Sequence, residues 1–176
     1  MKYLINLLLI TLTCSCFAQK EVSVASINGV INELLHQITI EKGETIDTAA
    51  VRNLFHPTAQ LTVLMNGDST IIESISLNDF LILLKDPYYE EGYSEKEITK
   101  TINEYNGIAQ VFQSFYGKDS EGIEERGMNS YQLAHYHDRW WIVSMLWTLE
   151  TEEVALPAAY QMNNGLFRES EKNEKN

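Results

Sequence analysis

The chain has 176 residues, 44% of them hydrophobic and 22% charged, which is enough for one domain with a buried core and too few for two. Its formal net charge of −12 leaves no basic stripe to neutralise phosphates and so argues against nucleic acid as a partner. The acidic clusters at Glu90 and Glu91, and at Glu121, Glu124 and Glu125, read as solvated loops that keep the protein soluble.

Residues 1–18 read as a signal peptide. Met1-Lys2-Tyr3 carries the positive start, residues 4–12 form an apolar run, and Cys16-Phe17-Ala18 ends in the small residue that signal peptidase prefers. Cleavage after Ala18 would start the mature chain at Gln19 and export it to the periplasm or beyond. Both cysteines fall in the export segment, so the mature chain has no thiol for disulfides, thiolate catalysis or zinc-thiolate sites. The competing reading is a lipid anchor on Cys16, although Thr13 stands where a lipoprotein signal usually has leucine. No membrane span and no cofactor are expected.

Ile27, Val30, Ile31, Leu34, Leu35 and Ile38 recur at helical spacing and predict a first helix with one buried stripe. Asp47 stands as the N-cap of a short second helix that ends at His56-Pro57. Residues 60–65 and 70–75 flank Asn66-Gly67 and predict a hairpin. Ser76-Leu77-Asn78-Asp79 opens a third helix, with Leu77, Phe80, Leu81 and Leu84 inward, which Pro87 and Tyr88-Tyr89 interrupt.

Ser94-Glu95-Lys96-Glu97 resembles another helix cap, but Ile98-Thr99-Lys100-Thr101-Ile102 is rich in β-branched residues and leads into Asn106-Gly107. A second hairpin is therefore predicted, 96–105 with 108–116. Strands 126–136 and 139–150 follow across a turn near His137-Asp138. The layout is α+β, with three helices from the N-terminal half gathered on one face of a curved antiparallel sheet. One domain is expected over 19–156, with a polar, disordered tail over 157–176.

Four phrases, Asn53-Leu54-Phe55-His56-Pro57-Thr58-Ala59-Gln60-Leu61, Gly107-Ile108-Ala109-Gln110-Val111, Arg126-Gly127-Met128-Asn129-Ser130-Tyr131-Gln132-Leu133, and Trp140-Trp141-Ile142-Val143 with Trp147, stand in this order of elements. Together they resemble the nuclear transport factor 2-like superfamily, and within it the bacterial SnoaL-like branch, over about residues 22–150. The resemblance implies a cone in which a bent sheet wraps helices around a pocket, often in a homodimer. It implies a scaffold more than an activity, because members include ketosteroid isomerases, polyketide cyclases, dehydratases and domains that only bind. No phrase matches a catalytic motif that could be carried over residue by residue.

With a two-residue turn, Trp140, Ile142, Ser144 and Leu146 share a face with His135, Leu133, Tyr131 and Asn129. Trp141, Val143, Met145 and Trp147 then share the other with Gln132, Ser130, Met128 and Arg126, unless a β-bulge swaps the lists. Neither face reads as solvent-like, so a homodimer through the sheet is expected. Candidate ligand-binding residues are Tyr105, Arg126, Asn129, Tyr131, Gln132, Trp140, Ser144 and Trp147, each equally readable as core, interface or ion-pair residues.

His56 and His135 are the candidate general bases, His137 falling in the turn. His135-x-His137 is too weak a pattern for a metal site, and none is expected. Two readings result: a cone that binds a small, partly apolar molecule without turnover, and a SnoaL-like lyase or isomerase with a histidine base. In the second, Tyr105, Tyr131 or Asn129 would steady an enolate-like oxygen.

Overall fold

The computed structural model of the chain describes residues 23–67 and 69–161. The export segment expected over 1–18 and residues 162–176 of the expected tail lie outside the described residues. Helix α1 (Ile27–Ile38) is capped by Ser26, whose hydroxyl accepts from the Gly29 N–H at 3.0 Å, and it buries all six residues of its apolar stripe. Helix α2 (Thr48–Arg52) is held by Asp47, which accepts from the Ala49 and Ala50 amides at 3.0 and 2.9 Å.

Strands β1 (Phe55–Met65) and β2 (Ile71–Ser76) form the first hairpin. Strand β1 begins ahead of its expected start, because Pro57, which ends helical geometry, sits in an irregular stretch between Phe55 and Gln60 that the sheet tolerates. Ser76 then caps α3 (Leu77–Leu83) by accepting from the Asp79 amide at 3.2 Å. Pro87 does more than interrupt: with Asp86 as N-cap it occupies the first turn of a short α4 (Pro87–Glu90), where its missing N–H costs nothing.

The remaining strands are β3 (Tyr93–Tyr105), β4 (Ile108–Asp119), β5 (Glu124–Tyr136) and β6 (Arg139–Leu149). Asn106 and Gly107 at φ 45° and 82°, and His137 and Asp138 at 51° and 58°, make two-residue turns whose twist suits antiparallel hairpins. The six strands lie in the order β2-β1-β6-β5-β4-β3, antiparallel except where β1 runs parallel to β6. The result is a mixed α+β fold with a curved, unclosed sheet whose concave face packs on the helices. The core on that face joins Val30, Ile31 and Leu34 of α1 to Leu61, Val111, Tyr131, Leu133 and Ile142 of the sheet.

Two bulges bend the sheet and decide which side chains face the helices. In β3, Ile98 is the extra residue between the pairs Glu97↔Phe115 and Thr99↔Ser114. In β6, Val143 is extra between Ile142↔Leu133 and Ser144↔Gln132. A bulge reverses the alternation beyond it and increases local twist. Past Val143 the facing partners swap relative to the bulge-free reading: Tyr131 pairs with Met145 and Asn129 with Trp147 on the concave face, while Ser144 and Leu146 turn outward.

The outer face receives part of its cover from the chain itself. After β6 the backbone returns so that Leu156 is buried and a 3-10 turn (Ala158–Tyr160) sets the Tyr160 ring edge-on to Phe112 at 5.3 Å, its hydroxyl donating to Thr101 at 3.0 Å. No helix among the described residues is long and apolar enough to cross a membrane.

Candidate functional site

A cavity of about 440 Å³ lies between the concave sheet and the segment carrying α3 and α4. Its walls are Phe80, Leu83, Leu84, Tyr88 and Tyr89 on the helical side and Val63, Phe115, Met145 and Trp147 on the sheet, with Glu95, Glu125 and Asn129 among them. Apolar walls with a few converging polar groups are the composition of a small-molecule site.

Glu95 is the polar centre. Its Oε1 accepts from Asn129 Nδ2 at 3.0 Å and its Oε2 from the Tyr93 hydroxyl at 3.1 Å. Its backbone is anchored from below by Thr39, the C-cap of α1, which accepts from the Glu95 amide at 3.0 Å and donates to its carbonyl at 3.3 Å. Behind the cavity the polar groups continue without a gap. Asn129 and Tyr131 both donate to Gln113 Oε1, at 3.4 and 3.3 Å, Gln113 donates to Glu97 at 2.8 Å, and Lys100 pairs with Glu97 at 2.6 Å. Gln113, Asn129 and Tyr131 are buried, so this network satisfies groups that would otherwise be costly orphans.

The bulge at Ile98 makes this arrangement. It lets Glu95 and Glu97 before it, and Lys100 after it, all face the concave side. Lys100 compensates Glu97, whereas among the described residues no cation pairs with Glu95. Burial therefore pushes the Glu95 carboxyl up to about 7, against the two hydrogen bonds that favour its charged form and with some help from Glu125. Burial raises Glu125 as well, with repulsion from Asp119 adding to it.

Of the residues proposed from sequence, Asn129 and Trp147 line the cavity, and Tyr131 lies behind it in the Gln113 network. Trp140 is buried in the core, edge-on to an exposed His135 at 5.2 Å. Gln132 and Ser144 form a cross-strand pair on the outer face. Tyr105 is 78% exposed beside the hairpin turn. Arg126 pairs with Glu150 at 2.7 Å. His56 lies outside the cavity, 6.3 Å from the Trp141 ring, and bonds Thr58 at 2.8 Å.

Sequence reasoning missed Glu95, Tyr93, Gln113 and Glu125. The signal that could have found Glu95 was a carboxylate on an otherwise β-branched strand, which instead reads as a helix cap.

A wider cleft of about 770 Å³ opens between α2, β1 and the start of α3, lined by Arg52, Asn78, Gln60 and Trp141. Among the described residues Arg52 is the one ionisable residue lining it, and its guanidinium already donates to Asn78 at 2.7 Å, so the smaller cavity carries the chemistry. No group of three or more His, Cys, Asp or Glu among the described residues converges as a metal site.

Helices cupped in a bent six-stranded sheet around a cavity define the nuclear transport factor 2-like fold, and solved structures agree. A nuclear transport factor 2-like protein of unknown function from Silicibacter pomeroyi DSS-3 superposes with a TM-score of 0.52 at 15% identity, over 72% of this chain and 94% of that one. A second such protein, from Methylobacillus flagellatus KT, gives 0.50 at 14% identity over 69% and 87%. A candidate ketosteroid isomerase from Shewanella frigidimarina NCIMB 400 gives 0.51 at 18% identity over 68% and 92%. No protein-family model matches the chain, and no curated protein matches it. The resemblance read in the sequence thus holds at the level of the fold.

Proposed function

We propose that this chain is an exported cone that binds a small, partly apolar molecule in the cavity over Glu95, and that it works as a homodimer. The observation that carries the reading is the cavity of about 440 Å³ whose aromatic and aliphatic walls surround the hydrogen-bonded Glu95 carboxyl. Export rests on residues 1–18, with cleavage after Ala18, and lipidation at Cys16 is the other outcome of the same segment. Native mass spectrometry of protein exported by its own signal tests all three parts. A dimer starting at Gln19 with a reproducible extra mass is expected; an empty monomer that retains residues 1–18 would overturn the reading.

The raised pKa of Glu95 favours a second reading, a proton-transfer enzyme of the lyase or isomerase kind. A carboxyl near neutrality can take and return a proton, and the Tyr93 hydroxyl beside it can donate to a developing oxyanion. Glu95 replaces the histidines in this role, since His56 and His135 lie away from the cavity. Deuterium exchange at carbon next to a substrate carbonyl, lost in Glu95→Gln, would favour turnover; exchange unchanged in that variant would exclude it.

A further inference from the structure

The charge of the occupant can be read from the walls, and this inference rests on the cavity being a ligand site. Among the described residues, three carboxyl-bearing ones line it, Glu95, Glu125 and Glu150, and no lysine or arginine does. Glu150 is matched by Arg126 at 2.7 Å, whereas among the described residues neither Glu95 nor Glu125 forms an ion pair. The two unmatched carboxyls flank one residue: Glu95 on β3 and Glu125 on β5 both pair with Gly117 on β4. A Cβ at Gly117 would stand 3.0 Å from the Tyr93 hydroxyl and 3.1 Å from Glu125 Cγ, so the glycine leaves the room that both groups occupy.

Aromatic rings complete the setting. Tyr89 stands edge-on to Tyr88 at 5.4 Å and to Tyr93 at 5.6 Å, and Phe80, Phe115 and Trp147 line the same space. Ring faces attract cations, more strongly where water is excluded, and an aromatic enclosure with nearby carboxylates is the chemistry that recognises substituted ammonium groups. We propose that the cone takes a small organic cation, an ammonium group carried on an apolar body, with Glu95 and Glu125 as its counter-charges.

Such a ligand would supply a positive charge to offset the burial that raises both carboxyls. An anion would instead meet two carboxyls, with the Asn129 and Tyr93 donors beside them already engaged with Glu95. A neutral molecule would fill the apolar walls but leave the two acids uncompensated.

The test is a calorimetric or NMR titration of the full chain at pH 8 with three probes: benzyltrimethylammonium, its uncharged carbon isostere neopentylbenzene, and 3-phenylpropanoate. The cation is expected to bind about tenfold or more tighter than the isostere, and the anion least. Glu125→Gln should weaken the cation by about tenfold and leave the isostere unchanged, the isostere showing that the variant's cavity is intact. Glu95→Gln provides the same comparison should Glu125→Gln fold poorly.

Equal binding of cation and isostere, preferred binding of the anion, or cation affinity unmoved in both variants would overturn the charge assignment while leaving the cavity as a ligand site. No binding of any probe to a protein with native near-UV circular dichroism would overturn both.

Discussion

Glu95 is where several opposing effects meet in one side chain. Burial disfavours its charge and Glu125 adds repulsion, while Tyr93 and Asn129 donate hydrogen bonds that favour the carboxylate. Burial wins, and the carboxyl rises from 4.5 to about 7. The folded chain therefore keeps a proton that the unfolded chain releases. The corresponding stability is fully present below about pH 4.5, falls as pH rises, and is gone above about 7.

A shift of that size sets an upper bound of roughly 3 kcal/mol, to be discounted because the side chain is only partly buried by area. Glu125 is raised in the same direction, whereas Asp119 and Glu124 are lowered and lose stability as pH falls. The net profile mixes both signs. The clean measurement is the difference between the parent and Glu95→Gln in urea unfolding: the variant should gain in relative stability from pH 4.5 to 7, and a parallel pair of profiles would contradict the assignment.

Residue identity alone could not reveal this site, because nothing in Ser94-Glu95-Lys96-Glu97 distinguishes a buried strand carboxyl from a helix cap. Asn129 and Trp147 stand among the ligand-binding candidates read from the sequence, and both line the cavity, although the bulge-free reading puts them on opposite faces.

At the scale of elements, the sequence was most readable where turns and caps carry their own chemistry. Asn106-Gly107 and His137-Asp138 announce hairpins because both positions need positive φ, and Asp47 and Ser76 announce helix starts because they accept from free amides. The bulges were not readable. Ile98 and Val143 are ordinary strand residues, and nothing in their composition says that alternation reverses there, yet those two positions decide whether Lys100 and Ser144 face the concave side or the outer one.

Gly127 shows how tightly the concave row packs: a Cβ there would lie 2.4 Å from the Thr148 carbonyl oxygen and 2.6 Å from Phe115 Cζ. Gly127→Ala should therefore cost about 1–3 kcal/mol or more through displacement of both the Phe115 ring and the Thr148 backbone, visible as a lower midpoint in denaturant. A midpoint unchanged from the parent would contradict this packing.

For the whole molecule, the sheet needs cover on both faces. The helices take the concave side, and the chain beyond β6 buries Leu156 and sets Tyr160 against Phe112 on the outer face. Leu146 and Ile72 remain 45% and 71% exposed on that face, which is the apolar surface a second copy would use. Leu146→Glu should shift the proposed dimer to monomer in light scattering while leaving ligand binding in the cone unchanged; a monomeric parent would remove the dimer from the account.

The order of the six strands and of α1, α2 and α3 was legible, since periodicity and turn residues encode it, whereas α4 and the 3-10 turn after β6 were not. The cavity's chemistry was not, since it arises only when β3, β4 and β5 are laid side by side and Glu95, Gln113 and Asn129 meet. The most direct test of that meeting is the titration of the Glu95 side-chain carbonyl carbon by NMR, assigned by its loss in Glu95→Gln. A midpoint near 7, moving higher in Tyr93→Phe as a donor to the carboxylate is removed, is the predicted result. A midpoint near 4.5 that ignores Tyr93→Phe would place the carboxyl in water and contradict the site.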